Sequence, residues 1–314
     1  MTTVLSSHPV SDLSGPSTRA ISVKPIVLDA PKRGEDLQVR VSAPVTGERL
    51  PVVVFSHGNG WSLDAYAPLA DFWAAHGFVV IQPTHLDSRT LGLAHGDPRF
   101  PEIWRTRVDD LVRCLDQLSL LAAAVPGLAG RVDPGQVAVA GHSWGATTAS
   151  SLLGARVLDA EGRPGEDMAD ARVKAGVLFA VAGTGGNDLT PFAAEHLPFM
   201  NPTFEKMTKP ALVIAGDHDQ TMLSVRGPDW WTDAYSLSPA PKSLLTLYGA
   251  EHSFGGIVGY EVKETTDESP ERVALLQQVT VAYLHHVLGI DRTGWAIAES
   301  ALAKGHLLGR IESK

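Results

Sequence analysis

The chain alternates short apolar runs with longer stretches in which apolar residues recur at helical spacing. The runs at 52–56 and 78–82 predict buried strands, whereas the spacing over 62–76 predicts a helix. Strands that alternate with helices build a mostly parallel sheet flanked by helices. We therefore predict an α/β fold with a central sheet of about eight strands, at residues 21–28, 37–43, 52–56, 78–82, 136–140, 175–182, 210–215 and 243–248.

Two connections are longer than a compact crossover needs. Residues 83–105 and 183–208 are irregular in pattern, and each follows the carboxyl end of a predicted strand. Ligands bind at that end of an open α/β sheet, so we predict that the two insertions form a cap over the site. Residues 1–18 are rich in Ser, Thr and Pro and predict a mobile arm, followed by one domain over 19–314.

Residues 141–145, Gly-His-Ser-Trp-Gly, lie between a predicted strand and a predicted helix. A sharp turn there exposes a serine hydroxyl beside the positive end of the new helix, and the flanking glycines leave room for the turn. We therefore predict that Ser143 is a nucleophile.

A serine nucleophile needs a base and an orienting carboxylate, which in this architecture follow it as acid and then histidine. His252 comes after the last predicted strand and before the long helix that starts near residue 270, and it is the predicted base. Asp219 follows the strand that ends at 215 by enough loop to reach that histidine, and it is the predicted acid. Asp217, which suits a turn cap, and Asp188, after the preceding strand, stay open as alternatives.

The oxyanion that forms when a carbonyl is attacked needs preorganised donors. We predict two backbone N–H groups: that of Trp144, which opens the helix after Ser143, and that of Asn59, in the loop after the strand 52–56. Glycines flank Asn59 and allow its loop to turn amides inward. Gly60 and Trp61 are candidates for the substrate pocket.

Taken together, these segments resemble the α/β-hydrolase superfamily over about residues 52–252. Residues 55–60 (Phe-Ser-His-Gly-Asn-Gly), 75–80 (Ala-His-Gly-Phe-Val-Val) and the 141–145 motif are similar to platelet-activating-factor acetylhydrolases, chlorophyllases and dienelactone-hydrolase-like esterases. The resemblance implies an α/β-hydrolase fold and a serine esterase that cleaves carboxylic esters with small or moderate acyl groups, without a cofactor. We call the turn at residues 141–145 the elbow. In acetylhydrolases and chlorophyllases the acid is expected after the strand that follows the helix of this elbow. This chain has no carboxylate there before Asp188, so an acid at Asp219 departs from that pattern.

Charge and composition limit the classes of molecule that the protein could bind. The formal net charge is −9, and no Lys and Arg cluster supplies the positive field that nucleic acid or an anionic membrane requires. We expect a small-molecule ester substrate. The single cysteine, Cys114, permits neither an intrachain disulfide nor a cysteine-based zinc site.

The chain shows neither a signal-peptide pattern nor an apolar run long enough for a membrane span, so we expect a cytoplasmic protein. Residues 289–314 either close the fold or mediate self-association as a homo-oligomer.

Two rival hypotheses come from other classes. His57, His85, His142, His218 and His252 could gather around a metal, although no HExxH-type spacing supports a metal hydrolase. A non-catalytic binding module on this fold would usually have lost a member of the triad, and all three positions are filled here. Thioesterase, lactonase and amidase activities would use the same residues as an esterase.

Overall fold

The computed structural model describes residues 13–93, 96–259, 262–263, 265–304 and 306–314 of the chain. The strands in these residues are β1 (Ala20–Leu28), β2 (Leu37–Pro44), β3 (Leu50–Ser56), β4 (Val79–Pro83), β5 (Val132–His142), β6 (Arg156–Val157), β7 (Val173–Phe179), β8 (Pro202–Thr203), β9 (Ala211–Gly216), β10 (Lys242–Leu247) and β11 (Gly309–Ser313). The α-helices are α1 (Ala67–Ala75), α2 (Ile103–Asp116), α3 (Leu118–Ala124), α4 (Trp144–Leu153), α5 (Pro191–His196), α6 (Asp233–Ser236), α7 (Pro270–Val287) and α8 (Thr293–Ala303).

The main sheet has the strand order β1-β2-β4-β3-β5-β7-β9-β10-β11. Neighbouring strands from β4 to β10 are parallel, while β1, β2 and β11 join antiparallel at the two edges. This mostly parallel sheet with flanking helices confirms the predicted α/β-hydrolase fold. In the part of the chain that the structure describes, the sheet has nine strands, so the prediction of about eight was one strand short.

The additional strand is β11, in the C-terminal stretch. It pairs with β10 from Ser243↔Ser313 to Leu247↔Gly309 and covers that edge of the sheet. The preceding helix α8 packs on α7, where Trp295 lies edge-on to Tyr283 with ring centroids 5.0 Å apart. The stretch 289–314 therefore closes the fold within its own chain.

The centre of the sheet is apolar because its strands are covered on both faces. Val52, Val53 and Val54 of β3 and the equivalent residues of β5 and β9 are fully buried. One helix group, α1, α7 and α8, packs together, and α2, α3 and α4 form a second group. The carboxyl ends of β3, β5, β7 and β9 consequently lie side by side, which brings the loops with the predicted site residues to one edge.

The start of the chain lies partly outside the described residues, which begin at Leu13 within the predicted arm 1–18. Leu13 is buried, and its N–H donates to the Gln278 side chain (2.6 Å). The end of that segment is therefore held on α7. None of the described helices is long and apolar enough to cross a membrane.

Candidate active site

Ser143 occupies the sharp turn between β5 and α4. Its φ of 56° and ψ of −124° lie in a backbone region that residues other than glycine rarely adopt, and this strain costs of order 1–3 kcal/mol. The Ser143 N–H donates to the Phe179 carbonyl (2.9 Å), and its own carbonyl accepts the first helical bonds of α4 from Ala146 and Thr147. The neighbouring strand and the new helix therefore hold the strained residue in place.

Two glycines allow the turn to pack this tightly. A Cβ at Gly145 would lie 2.0 Å from the Ser56 carbonyl O, and one at Gly141 would lie 2.2 Å from the Gly145 carbonyl O. Both contacts are with backbone atoms, which cannot shift as the end of a flexible side chain could. Glycine at these two positions is therefore a steric requirement of the turn.

His252 and Asp219 form a hydrogen-bonded pair. The His252 Nδ1–H donates to Asp219 Oδ2 (2.9 Å), which leaves His252 Nε2 as the free, basic nitrogen of the neutral ring. The Asp219 side chain is fully buried, whereas that of His252 is 41 % exposed. Burial raises the pKa of Asp219 above its usual value, and the hydrogen bond from His252 opposes that rise.

The pair lies directly beside the turn. The His252 ring packs on the ring of His142, the residue before Ser143, with centroids 4.7 Å apart, and His142 Nε2–H donates to the His252 carbonyl (2.8 Å). On its other side, the His252 ring contacts Trp231 at 5.2 Å, and the Trp231 indole N–H donates to the Asp219 carbonyl. Histidine and carboxylate are thus both fixed against the elbow.

The two alternative carboxylates have other partners. Asp217 is exposed and accepts a hydrogen bond from the Gly249 N–H (2.6 Å), as a turn cap does. Asp188 accepts from the Thr184 hydroxyl (2.6 Å) and pairs with Arg226 (3.2 Å). The carboxylate in contact with His252 therefore follows β9, one strand further across the sheet than β7.

Asn59 and Trp144 present backbone amides at the same edge. The neighbouring amides are engaged: Gly58 N–H donates to the Tyr66 hydroxyl (3.0 Å), and Gly60 N–H donates to Asp87 (3.3 Å). Among the described residues, neither the Asn59 N–H nor the Trp144 N–H has a hydrogen-bond acceptor. The Trp144 amide also lies at the positive end of α4. Two free donors are therefore available to an anionic oxygen.

A cleft of about 830 Å³ opens at Asn59 and Trp144. This volume suits a ligand of moderate size. Both predicted insertions contribute to its wall, which is mostly apolar and includes Pro98, Phe100, Trp144, Phe192, Leu197 and Leu223.

The two residues predicted to line a substrate pocket lie beside this cleft and do not form its wall. Trp61 is half-buried, with the Arg89 guanidinium 5.4 Å from its ring centroid. Gly60 is buried, and a Cβ there would lie 2.9 Å from Arg89 Nε. Both residues therefore lie against Arg89, in the insertion that follows β4.

Beneath this loop lies a buried polar network that the sequence did not reveal. Ser56 Oγ–H donates to His85 Nε2 (2.9 Å), and His85 Nδ1–H donates to Asp110 Oδ2 (2.9 Å). Asp110 in turn pairs with Arg33 (2.9 Å). The hydrogen bonds follow the order serine, histidine, aspartate, but all three side chains are buried, so no substrate reaches them.

A buried ion pair braces the loop from the same side. Arg107 pairs with Asp87 (2.5 Å) and also donates to the His57 carbonyl. Asp87 accepts from the Gly60 N–H, so the pair holds both ends of the segment that carries Asn59. The Arg107 Nε–H donates to the Thr148 hydroxyl on α4 (3.1 Å), which connects this loop to the elbow helix.

Residues 36–92 match the family model of platelet-activating factor acetylhydrolase, isoform II. The match runs from β2 past β4 and includes Asn59, and it ends before Ser143, Asp219 and His252. No curated protein matches the chain. The chain thus resembles the acetylhydrolase family in sequence and has the α/β-hydrolase fold, which supports a hydrolase of ester type.

The described residues contain no group of three or more His, Cys, Asp or Glu side chains placed to hold a metal ion. Of the five histidines named above as candidate ligands, His57, His85 and His142 make hydrogen bonds within buried networks. Burial lowers the pKa of His57 to about 4, and the positive charge of Arg107 adds to this effect.

Proposed function

We propose that the protein is a serine carboxylic-ester hydrolase that acts through Ser143, His252 and Asp219 and an acyl-enzyme intermediate. The observation that carries the proposal is the hydrogen bond between His252 and Asp219 beside the strained Ser143 turn. A base already oriented by a carboxylate, next to a half-buried serine in a sharp turn, is the arrangement that nucleophilic acyl transfer requires.

In the first half-reaction, His252 Nε2 takes the Ser143 proton as Oγ attacks the ester carbonyl. The resulting oxyanion accepts hydrogen bonds from the Asn59 and Trp144 amides, each typically worth about 3 kcal/mol of barrier. His252 then gives the proton to the leaving alcohol, and Ser143 carries the acyl group. Asp219 holds the imidazole tautomer and stabilises the imidazolium that forms.

In the second half-reaction, His252 takes a proton from water, which attacks the acyl-enzyme. The second tetrahedral intermediate collapses, the carboxylic acid leaves, and Ser143 regains its proton. No cofactor takes part. The apolar wall of the cleft and its volume of about 830 Å³ favour small to moderate acyl groups.

Hydrolysis of p-nitrophenyl esters from acetyl to dodecanoyl by the wild type and by Ser143→Ala tests the proposal, with Ser253→Ala as the matched control. Ser253 is a half-buried serine beside His252 to which we assign no role. We expect turnover to disappear in Ser143→Ala and to persist in Ser253→Ala. Turnover by the wild type should continue when a chelator is added. Turnover that survives in Ser143→Ala would refute the mechanism, and turnover lost with a chelator would favour a metal hydrolase.

The same enzyme samples can be given a thioester, a lactone and an amide. These substrates would use the same three residues, so the ratio of their kcat/KM values assigns the bond type. A wild type that is inert towards all of them would favour a binding module on this fold.

A further inference from the structure

Tyr66 and His142 form a buried hydrogen-bond relay between the loop with Asn59 and the loop with His252. Gly58 N–H donates to the Tyr66 hydroxyl (3.0 Å), Tyr66 O–H lies 2.8 Å from His142 Nδ1, and His142 Nε2 lies 2.8 Å from the His252 carbonyl O. Both Tyr66 and His142 are at most 2 % exposed. The relay therefore joins three segments far apart in sequence, without solvent.

The chemistry of the groups fixes the direction of each bond. The Gly58 amide can only donate, so the single Tyr66 hydroxyl proton goes to His142 Nδ1. His142 Nε2 faces a carbonyl, which only accepts, so that nitrogen carries the ring proton. Burial, with the nearby His252, lowers the pKa of His142 far below its usual value, which keeps the neutral tautomer that the relay needs.

The surrounding backbone is shaped to form this relay. Tyr66 has a φ of 65°, and its N–H donates to the Val258 carbonyl (2.7 Å), in the loop that follows His252. A Cβ at Gly58 would lie 2.9 Å from the Tyr66 hydroxyl oxygen and 3.4 Å from His142 Nδ1. A larger residue at 58 would therefore displace the hydroxyl from both of its partners.

We propose that Tyr66 and His142 are positioning residues that set the Asn59 amide and the His252 ring in register with Ser143. The inference rests on the proposed function, because both ends of the relay are residues of that mechanism. Gly58 precedes Asn59, so its amide bond to Tyr66 fixes the peptide plane next to the oxyanion donor. The His142 bond fixes the backbone from which the His252 side chain projects.

Tyr66→Phe tests the relay because it keeps the ring, which packs on Phe55 at 4.7 Å, and removes the hydroxyl. It leaves the buried Gly58 N–H and His142 Nδ1 without partners, so we expect kcat to fall roughly tenfold to a hundredfold. KM should stay within about twofold, since the acyl cleft is untouched. Tyr283→Phe, which removes the hydroxyl of a buried tyrosine on α7, is the matched control.

All rates are divided by the concentration of active sites, titrated to completion with a fluorophosphonate, so that misfolded protein does not count. The rate of fluorophosphonate labelling should fall with kcat, because that reaction develops the same oxyanion. A kcat per titrated site equal to that of Tyr283→Phe would overturn the inference, as would a change confined to KM.

His142→Gln and the double variant Tyr66→Phe/His142→Gln test whether the two residues act as one unit. We expect the double variant to be about as slow as the slower single variant. Losses that multiply would show two independent effects and overturn the relay.

Ser143→Ala separates failure of this inference from failure of the proposed function. If Ser143→Ala is inactive and Tyr66→Phe keeps the wild-type kcat, only the relay is wrong. If Ser143→Ala keeps its turnover, the mechanism on which the relay depends is wrong as well.

Discussion

Asp217 and Asp219 lie two residues apart, yet their side chains have opposite environments. The Asp217 carboxylate is exposed and caps the turn at Gly249, while that of Asp219 is buried against His252. Loop length, which is known from the sequence, by itself favours Asp219 as the acid. Which carboxylate turns inward also depends on the bond from Trp231 to the Asp219 carbonyl, twelve residues away, which a single sequence does not reveal.

We expect Asp219→Asn to lower kcat by on the order of 10⁴, because an amide favours the wrong tautomer of the partner imidazole while the fold stays intact. Asp217→Asn and Asp188→Asn are matched controls with the same chemical change in loops at the same edge. They should stay within a few-fold of the wild type in p-nitrophenyl acetate hydrolysis. A large loss in Asp188→Asn, with Asp219→Asn unaffected, would assign the acid to the loop after β7.

At the scale of elements, most strands could be predicted because each is a short apolar run between turn residues. Helix α1 begins at Ala67 and not near residue 62, since Tyr66 adopts a left-handed conformation that its contacts with other loops impose. The pattern over 107–124 also predicts a helix. In the structure this helix begins earlier, at Ile103, and divides at Gln117 into α2 and α3. Strand β11 was missed because its five residues alternate weakly and follow a helical pattern.

The elbow is the element whose sequence requirement is most severe. We expect Gly145→Ala to lower the free energy of unfolding by about 3 kcal/mol or more, because its Cβ would meet the Ser56 backbone at 2.0 Å. At Gly227, in contrast, a Cβ would meet only the Asp229 side chain at 3.6 Å, an ordinary contact.

Gly227→Ala is therefore the control, and urea unfolding of both variants is the measurement. Equal urea midpoints for the two variants would contradict the steric account of the turn.

For the whole molecule, the least predictable feature is the set of charges buried beneath the loop with Asn59. Charged residues are rarely buried unless they are paired. Four of them are buried here: Arg33, Asp87, Arg107 and Asp110. Their partners lie far away in sequence: Arg33 meets Asp110, and Arg107 meets Asp87 across twenty residues. Composition and periodicity indicate exposed positions for such residues, so only the folded chain reveals that they brace the site.

Buried histidines should make the protein lose stability in acid. Burial lowers the pKa of His57 from 6.5 to about 4 and lowers the pKa of His85 and His142 as well. Between those two pH values the unfolded chain binds more protons than the folded one, so stability is complete above about pH 6.5 and falls towards pH 4. His57 alone accounts for on the order of 3 kcal/mol.

Burial acts in the opposite direction on Asp110, whose pKa it raises to about 7. That carboxyl alone would make the fold less stable as the pH rises from about 4 to 7. Three histidines outweigh one carboxylic acid, so we expect a net fall in the free energy of unfolding on acidification. Urea unfolding at several pH values between 7 and 4 measures it, and a constant or rising stability towards pH 4 would contradict the account.

The central claim is that Ser143 is the nucleophile. The most direct measurement is to label the wild type with a fluorophosphonate, determine the intact mass, and locate the adduct by peptide mass spectrometry. We predict one phosphonyl group per chain, on Ser143, with turnover lost in proportion to labelling. An adduct on any other residue, or a fully labelled protein that still hydrolyses esters, would contradict the account.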